Sequence, residues 1–124
     1  MSKVTIKTGT EQEFFARGRR LAQAADRGET LPDEHIVSFE DPADLMRLLT
    51  SRRLELFRAV KDMPGSITQI SERLKRDRSA VKRDLDELAS AGLVSMTDMV
   101  LPGHGLMKEI RACAQRFTLQ ADVA

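Results

Sequence analysis

Between Arg73 and Arg83 six cations, Arg73, Lys75, Arg76, Arg78, Lys82 and Arg83, face a single acid, Asp77. Cations this dense suit one kind of chemistry: each can neutralise a phosphate of duplex nucleic acid and release its counterions. An arginine can also set two N–H groups against a guanine edge, a contact that discriminates between bases by about 1–3 kcal/mol. The competing interpretation is a solvated helix face, the usual meaning of a charge run. Its position favours the first, because the run spans a turn and the start of a helix. The chain as a whole is nearly neutral, with 20 Lys and Arg against 19 Asp and Glu. From Leu31 to Thr50 the balance reverses, with Asp33, Glu34, Glu40, Asp41 and Asp44 against Arg47 alone.

Residues 66–94 must position these cations. Ser66, with Gln69 three residues on, forms a capping-box pattern, and Ile67, Ile70 and Leu74 then share a helical face. LKRD breaks that period, and Asp77 can cap a second helix with Val81, Leu85 and Leu88 as its buried stripe. Gly92 falls where helices commonly stop. Arg78, Ser79, Lys82, Arg83 and Asp86 project from the opposite face, as in a helix that enters the DNA major groove. Upstream, SRRLELFRAVKDM, capped by Thr50 or Ser51, supplies a supporting helix with Leu54, Phe57, Val60 and the stem of Lys61 inward. Downstream, LVSMTDMV and LMKEIRA around LPGHG predict a β-hairpin. A helix over residues 108–115 is the alternative for its second half.

The ends of the chain predict an arm. KVTIKT and HIVSF alternate as short strands. Between them Thr10 and Glu13 open a helix reaching about Arg27, with Phe14, Gly18, Leu21, Ala22 and Ala25 on one face. Gly18 is unfavourable in mid-helix unless another backbone packs closely against it. The helix needs a covering layer, either a sheet or a second chain, so the arm predicts a homodimer. PADLMRLL forms a short helix with Leu45, Leu48 and Leu49 inward. Phe117, Leu119, Ala121 and Val123 alternate as a last strand, pairing with the N-terminal strands of the same or a second chain. The expected organisation is an arm over residues 1–40 and a DNA-binding domain over 41–124. The fold class is mainly α with a small β component (α+β), a winged helix-turn-helix with an N-terminal strand-helix-strand arm.

Residues 39–94 resemble the MarR-like winged-helix regulators, through Phe39-Glu40, Leu48-Leu49-Thr50, Arg53-Leu54 and the run from Arg83-Asp84-Leu85 to Gly92-Leu93. The resemblance implies a transcriptional regulator of double-stranded DNA, for which a dimeric repressor is the simplest mechanism. The alternative is a protein-protein interaction module, an antitoxin or scaffold neutralising a partner protein, with little or no DNA binding. Members are often encoded beside a small toxin, so it also implies an antitoxin that represses its own operon. It puts Arg78 at the start of the recognition helix and Ser79, Lys82 and Arg83 on its groove-facing side. Thr68, Gln69 and Arg73 would lie near backbone phosphates, with Lys75, Arg76 and Lys82 positioning on phosphates. For Arg53 an ion pair with Glu87 or Asp84 is as favoured as DNA. The wing departs from the pattern: residues 99–107, MVLPGHGLM, carry no Lys or Arg. Met99, Leu101, Leu106 and Met107, together with Phe14 and Phe15 of the arm, are therefore candidates for a protein interface, whether a second protomer or a toxin. Filling the domain's own core is the equal alternative for the wing residues.

Several function classes are disfavoured. Apolar content of 41% and charged content of 31% are those of a globular protein, and 124 residues suffice for one core. No apolar run approaches the roughly 20 residues that span a bilayer, so no membrane association is expected. Cys113 is the single cysteine, which points to the cytoplasm and to no disulfide framework. Without Tyr or Trp, stacking platforms for single strands are lacking. His35 and His104 have no metal-ligand partners, no loop cradles phosphate, and no nucleophile has an evident base. No metal, cofactor or enzymatic activity is expected.

Overall fold

The computed structural model describes residues 3–31, 34–103 and 105–123, and for Leu101 the backbone only. The expectations placed on Pro32, Asp33 and His104, and on the side chain of Leu101, lie outside the described residues. In chain order the elements are β1 (Lys3–Thr8), α1 (Glu11–Asp26), β2 (Glu34–Phe39), α2 (Pro42–Leu48) and α3 (Ser51–Asp62). There follow α4 (Ile67–Leu74), α5 (Arg78–Ser90), β3 (Val94–Leu101), β4 (Gly105–Ala112) and β5 (Phe117–Gln120). Two compact units result. One is Leu48–Gln115; the other combines the N-terminal segment through Arg47 with the chain from Arg116 on. The last strand and most of α2 thus fall with the N-terminal elements, whereas the sequence placed residues 41–124 in one domain.

Each helix of the first unit begins at a residue chosen for it. The Thr50 hydroxyl accepts the Arg53 N–H at 3.2 Å to open α3. Ser66 and Gln69 form a complete capping box at α4, each side chain bonding the other's backbone N–H. Asp77 accepts the Ala80 N–H at 3.1 Å to open α5. Between the last two helices Lys75 takes a left-handed conformation, φ 53°, which reverses the chain within three residues. Gly92, φ 76°, ends α5: its N–H bonds the Ala89 carbonyl and the Leu93 N–H the Leu88 carbonyl, each at 3.0 Å. This double bond pattern needs a left-handed residue after the helix, which glycine supplies at no steric cost.

The core holds Leu56, Phe57, Val60, Ile67, Ile70, Val81, Leu85, Leu88, Leu93, Val94 and Ile110. Two details differ from the expected faces. In α3 Leu56 is fully buried while Leu54 is only half-buried and Lys61 exposed, so the inner face is rotated toward Leu56. In α4 Leu74 is half-buried and Ser71 takes the covered position, its hydroxyl bonding the Ile67 carbonyl at 2.6 Å.

Strands β3 and β4 pair antiparallel from Val94↔Ala112 to Leu101↔Gly105, so residues 108–112 are strand and not helix. Gly65 extends this ladder by exchanging backbone hydrogen bonds with Ile110 at 3.3 and 2.7 Å. The hairpin is thereby fixed to the start of α4. Three helices and a hairpin attached this way make a winged helix-turn-helix.

In the second unit β1 is the central strand of a parallel sheet in the order β2-β1-β5. Val4↔His35 and Val4↔Phe117 set the two registers. The last strand therefore pairs with β1 of its own chain. Val4, Thr5 and Ile6 of β1 are buried, and the Thr5 hydroxyl donates to Glu34 at 2.8 Å. The hydroxyl of Thr10 accepts the Glu13 N–H at 3.1 Å and opens α1. No residue of α1 is buried. In α2 Leu45 and Leu48 are buried, and Leu49, just after it, is half-buried.

Candidate nucleic-acid interface

The dense cation run does not present one uniform surface. Its members divide into those that hold the helix-turn-helix together and those left facing outward.

Arg76 belongs to the first group. Its side chain is only 12% exposed, and its Nη2 donates to Asp84 Oδ2 at 2.8 Å. Arg53 of α3 donates from Nε to the other oxygen of Asp84 at 3.1 Å, and from Nη1 to the Leu48 carbonyl at 3.0 Å. Asp84 thus ties α3 and the interhelical turn to α5 through two guanidiniums. Burial alone would raise its carboxyl pKa, but the hydrogen bonds from Arg76 and Arg53 outweigh that and hold it below its ordinary value. The Nε and Nη1 of Arg76 are buried and find no acceptor among the described residues. The expected role of Arg76 on phosphates is corrected: burial in this triad removes it from the surface. The Arg53–Asp84 pair was one of the two alternatives for Arg53.

Arg73 is also committed. Its Nη1 and Nη2 donate to the carbonyls of Ala59 and Met63 at 3.3 and 2.6 Å, satisfying the C-terminal end of α3. Gln69 spends its side-chain oxygen on the Ser66 N–H at 2.9 Å. Both lie on α4 as expected, but the contacts that hold them are within the protein.

Gln69 and Arg73 stay exposed despite these bonds, and Thr68, Lys75, Arg78, Ser79, Lys82 and Arg83 are exposed as well. Arg78, the first residue of α5, donates from Nε to Thr68 at 3.2 Å, joining the two helices at the surface. Lys82 pairs with Asp86 one turn on, at 2.9 Å; both are about half exposed, so the pair is weak and easily exchanged for a phosphate. Arg78, Ser79, Lys82 and Arg83 line the outward arc of α5, opposite Val81, Leu85 and Leu88. This is a polar, basic helix face on a rigid support, with its N-terminus bare of acids apart from the capping Asp77.

Asp84 is the residue whose importance the sequence did not announce. The signal was present: it stands three residues after Val81 and four before Leu88, on the buried stripe. A carboxylate there must have cationic partners.

The wing residues also divide. Met99 and Met107, a cross-strand pair, line a cavity of about 190 Å³ with Gly65, Ser66, Gln69 and Glu109. Val100 and Leu106, the next pair outward, are each 75% exposed. The methionines therefore turn partly to their own domain, and the outer pair carries the exposed apolar surface. Phe14 and Phe15 of α1 are exposed, with their rings edge to face at 5.7 Å. No group of three or more His, Cys, Asp or Glu among the described residues is placed to hold a metal. Nor is any described helix long and apolar enough to cross a membrane.

A protein-family model described as HVO_A0114 matches residues 48–105, beginning where the helix-turn-helix unit begins. Among solved structures, a possible transcriptional regulator from Methanosarcina mazei Go1 is similar over 62% of this chain and 68% of that one. The identity is 22% and the TM-score 0.49, too slight to carry residue roles across. None of the curated proteins matches the chain.

Proposed function

We propose that this chain is a transcriptional regulator of double-stranded DNA that inserts α5 into the major groove, a binding protein and not an enzyme. The observation that carries this is the outward arc of α5: Arg78, Ser79, Lys82 and Arg83 are exposed on a helix whose other face is locked into the core. Arg78 and Arg83 would read base edges, while Lys75 and Lys82 position on phosphates. It would act in the cytoplasm as a homodimeric, MarR-like repressor that occludes a promoter. Dimerisation matters to that mechanism because two half-sites about one DNA turn apart multiply specificity. Binding to the DNA upstream of its own gene, measured across a salt series with Arg78→Ala/Lys82→Ala alongside, tests the proposal. Selective binding that weakens steeply with salt and collapses in the double variant supports it. Binding indifferent to sequence and to both residues overturns it.

A second proposal concerns the wing. Val100 and Leu106 offer an exposed apolar pair near the tip of a hairpin whose residues 99–107 include no Lys or Arg, which suits a protein surface better than phosphate. A toxin neutralised by this protein, which would then be an autoregulating antitoxin, is the partner such a pair would fit. Val100→Ser/Leu106→Ser should abolish co-purification with the product of an adjacent toxin gene while leaving DNA binding unchanged. Retention of that partner by the variant would reject the wing as its docking site.

A further inference from the structure

Helix α1 presents its apolar residues outward. Its 16 residues include none that is buried. The least exposed are Ala16, Arg17 and Ala24, while Phe14, Phe15 and Leu21 are 47%, 53% and 39% exposed. At 3.6 residues per turn, Phe14, Phe15, Leu21, Ala22 and Ala25 fall within an arc of about 120°. Gly18 stands at the centre of that arc and midway along it.

Gly18 gives the face its meaning. Glycine in mid-helix destabilises, and a native helix keeps it where something must approach its backbone. Nothing among the described residues does so, since a Cβ built on Gly18 would meet none of their atoms within 4 Å. The pattern around Gly18 is also symmetric: reversing the helix about it sets Phe14 opposite Ala22 and Phe15 opposite Leu21. Each large side chain then meets a smaller one, and the two glycines meet at the crossing point. A face complementary to its own reversed copy is what a two-fold axis requires.

We infer that α1 is the dimerisation element of this protein, pairing antiparallel with α1 of a second copy, with Gly18 at the crossing. This deepens the dimeric part of the function proposed above and depends on no residue of α5. A pair of helices each about 24 Å long makes a small interface, so the dimer is concentration-dependent. Arg17 and Arg19 flank Gly18 on either side of the arc and meet their own copies across the axis. The dimer therefore tightens as salt rises, because salt screens that repulsion, whereas DNA binding weakens.

Sedimentation equilibrium of the full chain without DNA, from low micromolar to near-millimolar, tests the inference. The parent should pass from monomer to dimer. Phe14→Glu/Leu21→Glu should raise the dimer dissociation constant more than about 30-fold with an unchanged circular dichroism spectrum, since neither residue is buried. Arg78→Ala/Lys82→Ala should dimerise as the parent does, which separates this test from the failure of DNA binding. In a Cys113→Ser background, a mixture of Phe15→Cys and Leu21→Cys chains should oxidise mainly to the mixed cross-link. A chain monomeric throughout, a dimer indifferent to the Glu variants, or homotypic cross-links in preference to mixed ones would each overturn it.

Discussion

Helices α5 and α1 are both amphipathic, and they use their apolar stripes in opposite ways. In α5 Val81, Leu85 and Leu88 are wholly covered and the charged arc faces solvent. In α1 the apolar arc faces solvent, and the least exposed positions include Arg17. Periodicity shows which residues share a face but not what covers it. α5 finds cover in α3, α4 and the hairpin because short loops bring those elements together. α1 leaves its stripe uncovered among the described residues. A substitution in one stripe should therefore be read in folding, and in the other in assembly.

The largest effect should come from Leu85→Ala. Truncating a fully buried leucine leaves a cavity beneath α5 and costs about 4 kcal/mol, toward the upper end of such changes. Leu21→Ala, the same change on α1, should shift the dilute monomer by less than about 0.5 kcal/mol. Urea titrations of the two variants at low concentration check the contrast. Comparable losses would mean that α1 is buried within the monomer after all.

Next in size is Asp84→Asn, which removes the carboxylate charge that Arg53 and Arg76 share in a mostly covered site and should cost about 3 kcal/mol. Its pH dependence identifies the cause. The carboxyl of Asp84 has a lower pKa folded than unfolded, so its stabilisation is complete above the ordinary carboxylate range. It is lost as the pH falls through that depressed folded value. The difference between parent and variant should therefore be constant near neutrality and shrink in acid. A difference independent of pH throughout would assign the loss to packing rather than charge.

Much of the helix-turn-helix was legible because local signals agreed with one another. Ser66 and Asp77 cap the helices they were expected to cap, Thr50 is the one of its two candidates that caps α3, and Gly92 ends the last helix. The hairpin and the last strand followed from period-two alternation. What could not be read was how the cations divide their work. Arg73, Arg76 and Arg78 are the same residue type within six positions of one another. One ends α3, one is buried on Asp84 and one stands at the surface on Thr68. Those roles depend on which carbonyl or carboxylate the fold brings near, through contacts such as Arg53 to Asp84, 31 residues apart. The division into units was hidden for the same reason, since the pairing of β5 with β1 spans nearly the whole chain.

That division makes the next prediction. Arg78→Ala should weaken binding to the preferred DNA site by about 1–3 kcal/mol, roughly tenfold or more, and leave the folding free energy almost unchanged. Arg73→Ala should do the reverse, costing about 1 kcal/mol of stability through the lost carbonyl contacts on α3. Its DNA affinity at temperatures where it is fully folded should match the parent's. Titrations of labelled duplex, paired with thermal melts, separate the two. Equal losses of affinity would return Arg73 to the phosphate-contacting set.

The smallest effect discriminates most sharply between the two helices. Gly18→Ala adds one methyl group at a position open in the monomer, and alanine is favoured over glycine in a helix by about 1 kcal/mol. The monomer should therefore unfold at slightly higher urea. If the glycine exists so that two copies of α1 can cross closely, two added methyls at that crossing should push the helices apart and weaken the dimer. The same substitution then moves folding and association in opposite directions, which no change of helix propensity alone can do. In the core of α5 the corresponding insertion has no such freedom, because Val81, Leu85 and Leu88 already fill their space within one chain. A Gly18→Ala protein that both folds and dimerises better than the parent would show that the glycine marks no crossing point. The apolar arc of α1 would then need a partner of a different shape.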